Sequence, residues 1–368
     1  MKILAIDAGT GTQDILLFDS SGPVENCVKM VMPSATQIAA ARIRRATAAR
    51  EAVVLTGVVQ GGGPCGWALE DHLRAGGIAY ATPDAAQTFD DDLEAVQRMG
   101  VRIVSDDEVP GIAGAARVEL RDLDLGAIRA ALAAFDVPPA FDGIAVGCLD
   151  HGAAPPGYSD RLFRFEHLRR VADERDDLRA FAFLPEELPE YLTRARSVMA
   201  TARRDSDAPL VFLDTGPAAA LGALQDPAVG REETQLVLNL GNMHALAFHL
   251  RGTRIISLYE HHTGELSREQ IEDFTERLIA GTLPHEEVFN TKGHGVFYAG
   301  GDASASHNDH PLVAVTGPQR GRIRNSRLNP YFATPHGDMM ISGCFGLLRA
   351  FAAKYPAHAE EIGRALSA

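Results

Sequence analysis

The sequence predicts an α/β protein built from two related halves, and three observations carry that prediction. Apolar runs of strand length alternate with segments whose apolar residues recur at helical spacing. The order strand, glycine turn, strand, strand, helix starts at residue 3 and starts again at residue 236. Such internal duplication outweighs any single motif. The chain has 368 residues, 46% of them hydrophobic and 23% charged, enough for two domains and a sizeable core.

The first half opens on Ile3 to Ile6, an apolar run ending at Asp7, with Gly9 and Gly11 at once behind it. Asp14 and a second apolar run, Ile15 to Phe18, follow. This reads as a β-hairpin with a carboxylate at the end of its first strand. Glycine lets backbone amides come close to an anion, and Asp7 suits a hydrated Mg²⁺. Cys27 to Met32 predicts a third strand, Thr36 to Arg50 a helix, and Ala52 to Val59 a buried strand.

That strand runs into Gly61-Gly62-Gly63, which reads as a substrate-receiving loop or a plain turn. Trp67 to Ala75 and Pro83 to Met99 read as helices, with Asp90, Asp91 and Asp92 on the solvated surface of the second. Arg117 to Leu120 and Ile144 to Leu149 are strands, and the latter ends on Asp150-His151-Gly152. Polar residues at such a strand end are placed to meet ligand. Charged helices cross Leu162 to Ala180 and Glu186 to Arg204.

The second half is expected to begin at residue 206, giving lobes of 1–205 and 206–368. Leu210 to Leu213 ends on Asp214-Thr215-Gly216, before an alanine-rich helix. Asp214 there reads equally as a cap of that helix. Leu236 to Leu250 is again strand, Gly241-centred turn, strand. A strand to Tyr259, a helix from Arg268 to Ile279, a strand at Leu312 and a last helix from Asp338 to Lys354 complete the chain. Two such units facing each other would put two glycine turns on either side of one cleft, suited to gripping a polyphosphate.

A formal charge of −14 argues against nucleic acid and against an anionic membrane surface as partners. Cys27, Cys65, Cys148 and Cys344 form no CxxC pair, so a disulfide framework or a close-pair zinc site is not expected. No apolar run has the length of a membrane span or of a signal-peptide core, and the expectation is a soluble cytoplasmic protein. His261 and His262 end a strand, and His294, His307 and His310 share a glycine-rich loop with Asp302 and Asp309. Their spacing matches no defined metal motif, and His244 and His249 fall on opposite arms or faces of a hairpin. The loop reads as solvated or substrate-lining.

These residues resemble the superfamily of actin, heat-shock chaperone ATPases and sugar kinases, whose fold is a duplicated RNase-H-like pair of lobes with ATP between them. Asp7-Ala-Gly9-Thr10-Gly11-Thr12 is similar to its first phosphate motif, and Asn239-Leu-Gly241-Asn242 to its second. Val315-Thr316-Gly317-Pro318 sits where the family packs adenosine. Asp214-Thr-Gly-Pro-Ala-Ala219 is similar to the sugar-kinase segment that carries the general base, and Asp150-His151-Gly152 to the segment that meets the sugar. The resemblance implies ATP and Mg²⁺ as cofactors, Asp7 and Asp214 as metal-linked and catalytic, and a small hydroxylated substrate near Gly61–Gly63 and Asp150–His151. It implies an ATP-dependent phosphotransferase. The alternatives are an ATPase that activates a partner enzyme, and a ligand-binding member without turnover, since Asn239 and Asn242 replace the usual Asp, Thr or Ser. A homodimer is left open.

The whole chain also resembles a bacterial and archaeal family labelled as pyruvate formate-lyase activating proteins. The resemblance rests on the GGGP stretch, Ala81-Thr-Pro-Asp-Ala-Ala86 and His261-His262-Thr263-Gly264. A glycyl-radical activase needs three clustered cysteines, CxxxCxxC, for its iron–sulfur cluster, and this sequence has none.

Overall fold

A computed structural model describes residues 1–301 and 310–367. His307, Asp302 and Asp309 lie outside the described residues. The chain begins with β1 (Lys2–Ala8), β2 (Thr12–Asp19) and β3 (Val28–Pro33), an antiparallel meander. It then leaves to build β4 (Ala52–Gly57), β5 (Ala79–Ala81), β6 (Val101–Ile103) and β7 (Ala115–Leu120). It returns with β8 (Gly143–Cys148), β9 (Ala182–Phe183) and β10 (Leu210–Asp214). The second half supplies β11 (Thr234–Leu240), β12 (His244–Arg251), β13 (Arg254–His262), β14 (Gly295–Tyr298), β15 (Leu312–Thr316) and β16 (Tyr331–Phe332).

Among the described residues these strands form three sheets. The first runs β3-β2-β1-β8-β10-β9 and the second β14-β13-β12-β11-β15-β16. In each, an antiparallel three-strand meander continues through its first strand into two parallel neighbours: β8 and β10, or β15 and β16. That shared order makes the protein a duplicated RNase-H-like, two-lobed fold of the actin-like ATPase kind. The expected duplication is present in the five strands common to both sheets, with β9 added at one edge of the first and β14 at the opposite edge of the second.

Three details differ from the sequence reading. Strands β4 to β7 form their own parallel sheet, with its own core around Val53, Leu55, Leu69 and Val118, an insertion between β3 and β8. Pro83 to Met99 is not one helix but two short ones, Pro83–Ala86 and Leu93–Arg98. The Asp92 carboxylate accepts the Glu94 N–H at 2.9 Å and the Asp90 carboxylate accepts the Asp92 N–H at 2.8 Å. Short acidic side chains compete in this way for backbone donors and favour caps over helix interiors. Finally, β10 follows residue 205 yet belongs to the first sheet, so the change of sheet falls between Asp214 and Thr234.

Strand periodicity sorts the core. Ile3 and Ala5 of β1 face the core shared by the two lobes, with Val237, Phe248 and Phe345, while Leu4 and Ile6 face an outer core with Leu125 and Met199. Through the shared core run two helices, Thr215–Ala223 and Ser342–Lys354. They cross backbone to backbone. A Cβ on Gly222 would overlap the Ser342 carbonyl, and one on Gly346 would overlap the Ala218 carbonyl. No helix among the described residues is long and apolar enough to cross a membrane.

Candidate functional site

The two hairpin turns meet. In the first, Gly9 N–H donates to the Thr12 carbonyl at 3.0 Å, and in the second Gly241 N–H donates to the His244 carbonyl at 3.0 Å. The duplicated strands therefore end in turns closed by the same hydrogen bond. Gly11 lies directly against the Asn242 side chain, which occupies the space a Cβ would need. Around this junction is a cavity lined on one side by Asp7, Gly9, Thr10, Thr12 and Asp14. Asn239, Gly241, Asn242, Thr316, Gly317 and Pro318 line the other. Gly317 has φ +92° and sits against the Leu240 carbonyl and Asn239 Oδ1, so this position needs glycine. Except for Gly11, every residue expected to contact phosphate or adenosine lines this one cavity.

Two carboxylates face it. Asp7 and Asp14 are cross-strand partners in the β1–β2 register, so their side chains share a face. Thr215 Oγ1 donates to Asp7 Oδ1 at 2.8 Å. Burial pushes the Asp7 carboxyl up to about 7, against the Thr215 bond, with Asp214 adding repulsion. Burial, then the Asp7 charge, pushes Asp14 up to about 8. Asp14 Oδ1 is buried without a hydrogen-bond partner. Two acids that resist ionising side by side suit a divalent cation, whose charge removes the repulsion. Asp14 was not among the expected site residues, although its place opposite Asp7 follows from the hairpin's own register.

Asp214 does not line the cavity. Arg164 of the helix Asp160–Glu174 donates both terminal nitrogens to its carboxylate, Nη2 to Oδ1 at 3.0 Å, and Gly216 N–H donates to Oδ1 at 3.0 Å. The Arg164 Nε donates to Glu260 at 3.2 Å and Nη1 to the Asp150 carbonyl at 3.2 Å. Arg164 and Glu260 are fully buried and Asp214 nearly so. A carboxylate held this way is an anchor between lobes and a helix cap. It is not a free base. Asp214→Asn is expected to lower stability by about 3 kcal/mol, because it leaves Arg164 short of a buried counter-charge. Thermal unfolding checks this: a variant that melts like the parent and has lost only turnover would return Asp214 to a catalytic role.

The expected substrate residues are also occupied structurally. Gly61 N–H donates to Asp122 at 3.1 Å, and a Cβ on Gly61 would strike the Arg194 guanidinium. Arg194 in turn grips Asp122 with two bonds, 2.7 and 2.9 Å, and reaches the cavity wall. Gly62 lies against the Thr88 carbonyl, and Gly63 takes φ +53° to start the helix Pro64–Arg74. The Asp150 carboxylate accepts Gly152 N–H at 2.8 Å and Ala195 N–H at 2.9 Å. None of these four residues lines the cavity. Arg194, which does, left no signal in the sequence beyond a charged helix.

The fifth, His151, stands elsewhere than expected. It meets His244, His262 and His294 in a cluster at the end of the cavity where His244 forms part of the wall. Burial first, then nearby positive charge, holds His151 down to about 3 and lowers His244, His262 and His294 as well, so the imidazoles are neutral at pH 7. The reading of His294 as part of a solvated loop is thus corrected: its side chain is fully buried. The four are scattered between positions 151 and 294, and no local spacing announces them.

Several solved structures are similar to this chain, three of them as follows. A ROK hexokinase from Thermus thermophilus matches at 14% identity and a TM-score of 0.25, over 70% of this chain and 48% of that one. The chain thus spans about half the hexokinase's length. The ethanolamine utilization protein EutJ from Carboxydothermus hydrogenoformans matches at 10% identity and 0.33, over 94% and 89%. The Aquifex aeolicus member of the Ppx/GppA family matches at 10% and 0.29, over 97% and 91%. No curated protein matches. The family described as "Putative pyruvate format-lyase activating enzyme (DUF1786)" matches residues 60–322, more than half of the chain. The chain belongs to that family.

Proposed function

We propose that this protein binds ATP with Mg²⁺ between its two hairpin turns and transfers the γ-phosphoryl group to the hydroxyl of a small metabolite. One observation supports this above the rest. Two turns of the same construction, one from each lobe, meet over the paired carboxylates Asp7 and Asp14. Glycine turns that close on one another suit a polyphosphate, and a buried oxygen of Asp14 lacking a partner suits a hard cation. Asp7 and Asp14 would hold the Mg²⁺, which supplies charge neutralisation to the phosphates when bound. Thr215 fixes the Asp7 carboxyl, Thr316 to Pro318 wall the adenosine side, and Arg194 adds a positive charge at the rim. Phosphoryl transfer asks for positioning and electrostatics more than covalent chemistry, so a locked Asp214 is compatible with it.

The activity in the family's description is not carried over. An iron–sulfur activase needs clustered thiolates. Here Cys65, Cys148 and Cys344 are buried in separate elements, and among the described residues no cysteine joins a metal-competent group.

Calorimetry tests the reading. ATP is expected to bind with micromolar affinity in the presence of Mg²⁺ and far more weakly with chelator present. Absence of heat at millimolar ATP would sink the proposal. Binding without ADP release in the presence of hydroxylated metabolites would favour a ligand-binding member without turnover.

A further inference from the structure

The four clustered imidazoles are not explained by phosphate or adenosine binding. His244 starts β12 and His262 ends β13, directly opposite each other in register. Their rings lie 4.9 Å apart, and each lies close to His294, at 5.2 and 4.7 Å between centroids. His151 reaches in from the first lobe, after β8, with its Nε2 3.3 Å from His294 Nε2. One ring nitrogen from each of His151, His244 and His294 lies within 4.8 Å of the others. Among the described residues this is the group with such geometry.

A plain hydrogen-bonded cluster is the competing account. It satisfies too little. A neutral imidazole carries one donor and one acceptor nitrogen, yet His244 Nε2 and His294 Nδ1 are buried without a hydrogen-bond partner. Unmade bonds at buried polar atoms are costly, and the orphaned Nε2 of His244 calls for a ligand that takes its lone pair. Ligands about 2.0–2.1 Å from a tetrahedral zinc lie about 3.3 Å from one another, the His151–His294 separation. His244, whose nitrogen lies within 4.8 Å of the other two, requires a small inward movement.

We propose that His151, His244 and His294 bind one divalent transition metal of the zinc type, bridging the two lobes beside the nucleotide cavity, with the His262 ring packed against them. Neutral nitrogen ligands without thiolate favour zinc, cobalt, nickel or copper over Mg²⁺ or Ca²⁺. The Arg164 charge near the cluster is itself neutralised by its buried pairs with Asp214 and Glu260. The metal would tie the segment after β8 to β12 and to the segment before β14, so its occupancy would bias the lobes toward closure.

The test is titration of the metal-free full chain with Co²⁺, followed by its visible absorption, then competition with Zn²⁺. The expected result is one Co²⁺ per chain with intense tetrahedral bands, removed by equimolar Zn²⁺ and lost in His244→Ala and His294→Ala. His151→Ala, at a half-buried position, gives the same readout should the other variants fail to fold. Asp7→Asn should keep the bands, which separates this site from the Mg²⁺ pair. Bands that survive in His244→Ala and His151→Ala, or no bands with Co²⁺ in excess, would overturn the assignment.

Discussion

Asp7→Asn is expected to abolish Mg²⁺-dependent ATP binding and to lower turnover by about 100-fold or more, the scale on which loss of one electrostatic contact to a reacting centre is felt. The fold should survive, because asparagine is nearly isosteric and its oxygen can still accept the Thr215 hydroxyl, now 2.8 Å away. The same change carries a pH signature. The Asp7 carboxyl sits at about 7, above its usual 3.8. Between those limits the folded metal-free protein holds a proton that the unfolded chain releases. Stability of the parent must therefore fall as pH rises from about 4 to about 7. Asp7→Asn removes that slope, leaving the part due to Asp14, and saturating Mg²⁺ should flatten it in the parent. Thermal unfolding at pH 5 and pH 8, with calorimetry of ATP, reads both effects. A variant that binds ATP as the parent does would show that Asp7 holds no cation.

The second large effect is structural. Gly346→Ala would normally favour a helix by about 1 kcal/mol, but here the new methyl meets the Ala218 carbonyl rather than a side chain. Backbone cannot step aside alone, so the helices Thr215–Ala223 and Ser342–Lys354 must separate. Ala218 and Gly222 on one, and Ser342 and Gly346 on the other, make two such contacts four residues apart. Forcing one open should cost on the order of 3 kcal/mol net. The expected outcome is a melting temperature lower by roughly 4 °C, with lower soluble yield. An unchanged melting curve would mean that the helices cross less closely than described.

What could be read from the sequence was local or repeated. The hairpin turns at Gly9 and Gly241 are written in a few adjacent residues, and their recurrence is enough to specify a two-lobed architecture. The helix Arg268–Ile279 carries its own cap, Ser267 with Gln270, and its predicted span is the observed one. The inserted sheet was hidden as a separate unit because no local signal says which sheet a strand joins, and β6, at three residues, is shorter than a periodic signal needs. Asp214 misled for a different reason. Its motif is local, but its partner Arg164 stands 50 residues earlier on another element, so the ion pair that occupies it leaves no trace nearby. The histidine cluster is the same case: His244, His262 and His294 meet through pairing of distant segments in one lobe, and His151 joins them from the other.

The helix Ser342–Lys354 packs on β1, β8 and β10. Its Cys344 thiol donates to the Asp14 carbonyl, and Phe351 fills the space above Gly143. Strand β1 thus waits for a helix whose Cys344 lies 339 positions beyond Ala5 before one of its faces is covered. The first lobe cannot mature until that helix has been made, however complete its own sheet. Contacts of such sequence separation slow folding and leave an apolar sheet face exposed during synthesis. A nascent chain halted before residue 342 should therefore be a strong chaperone client, and synthesis past Lys354 should mark its escape.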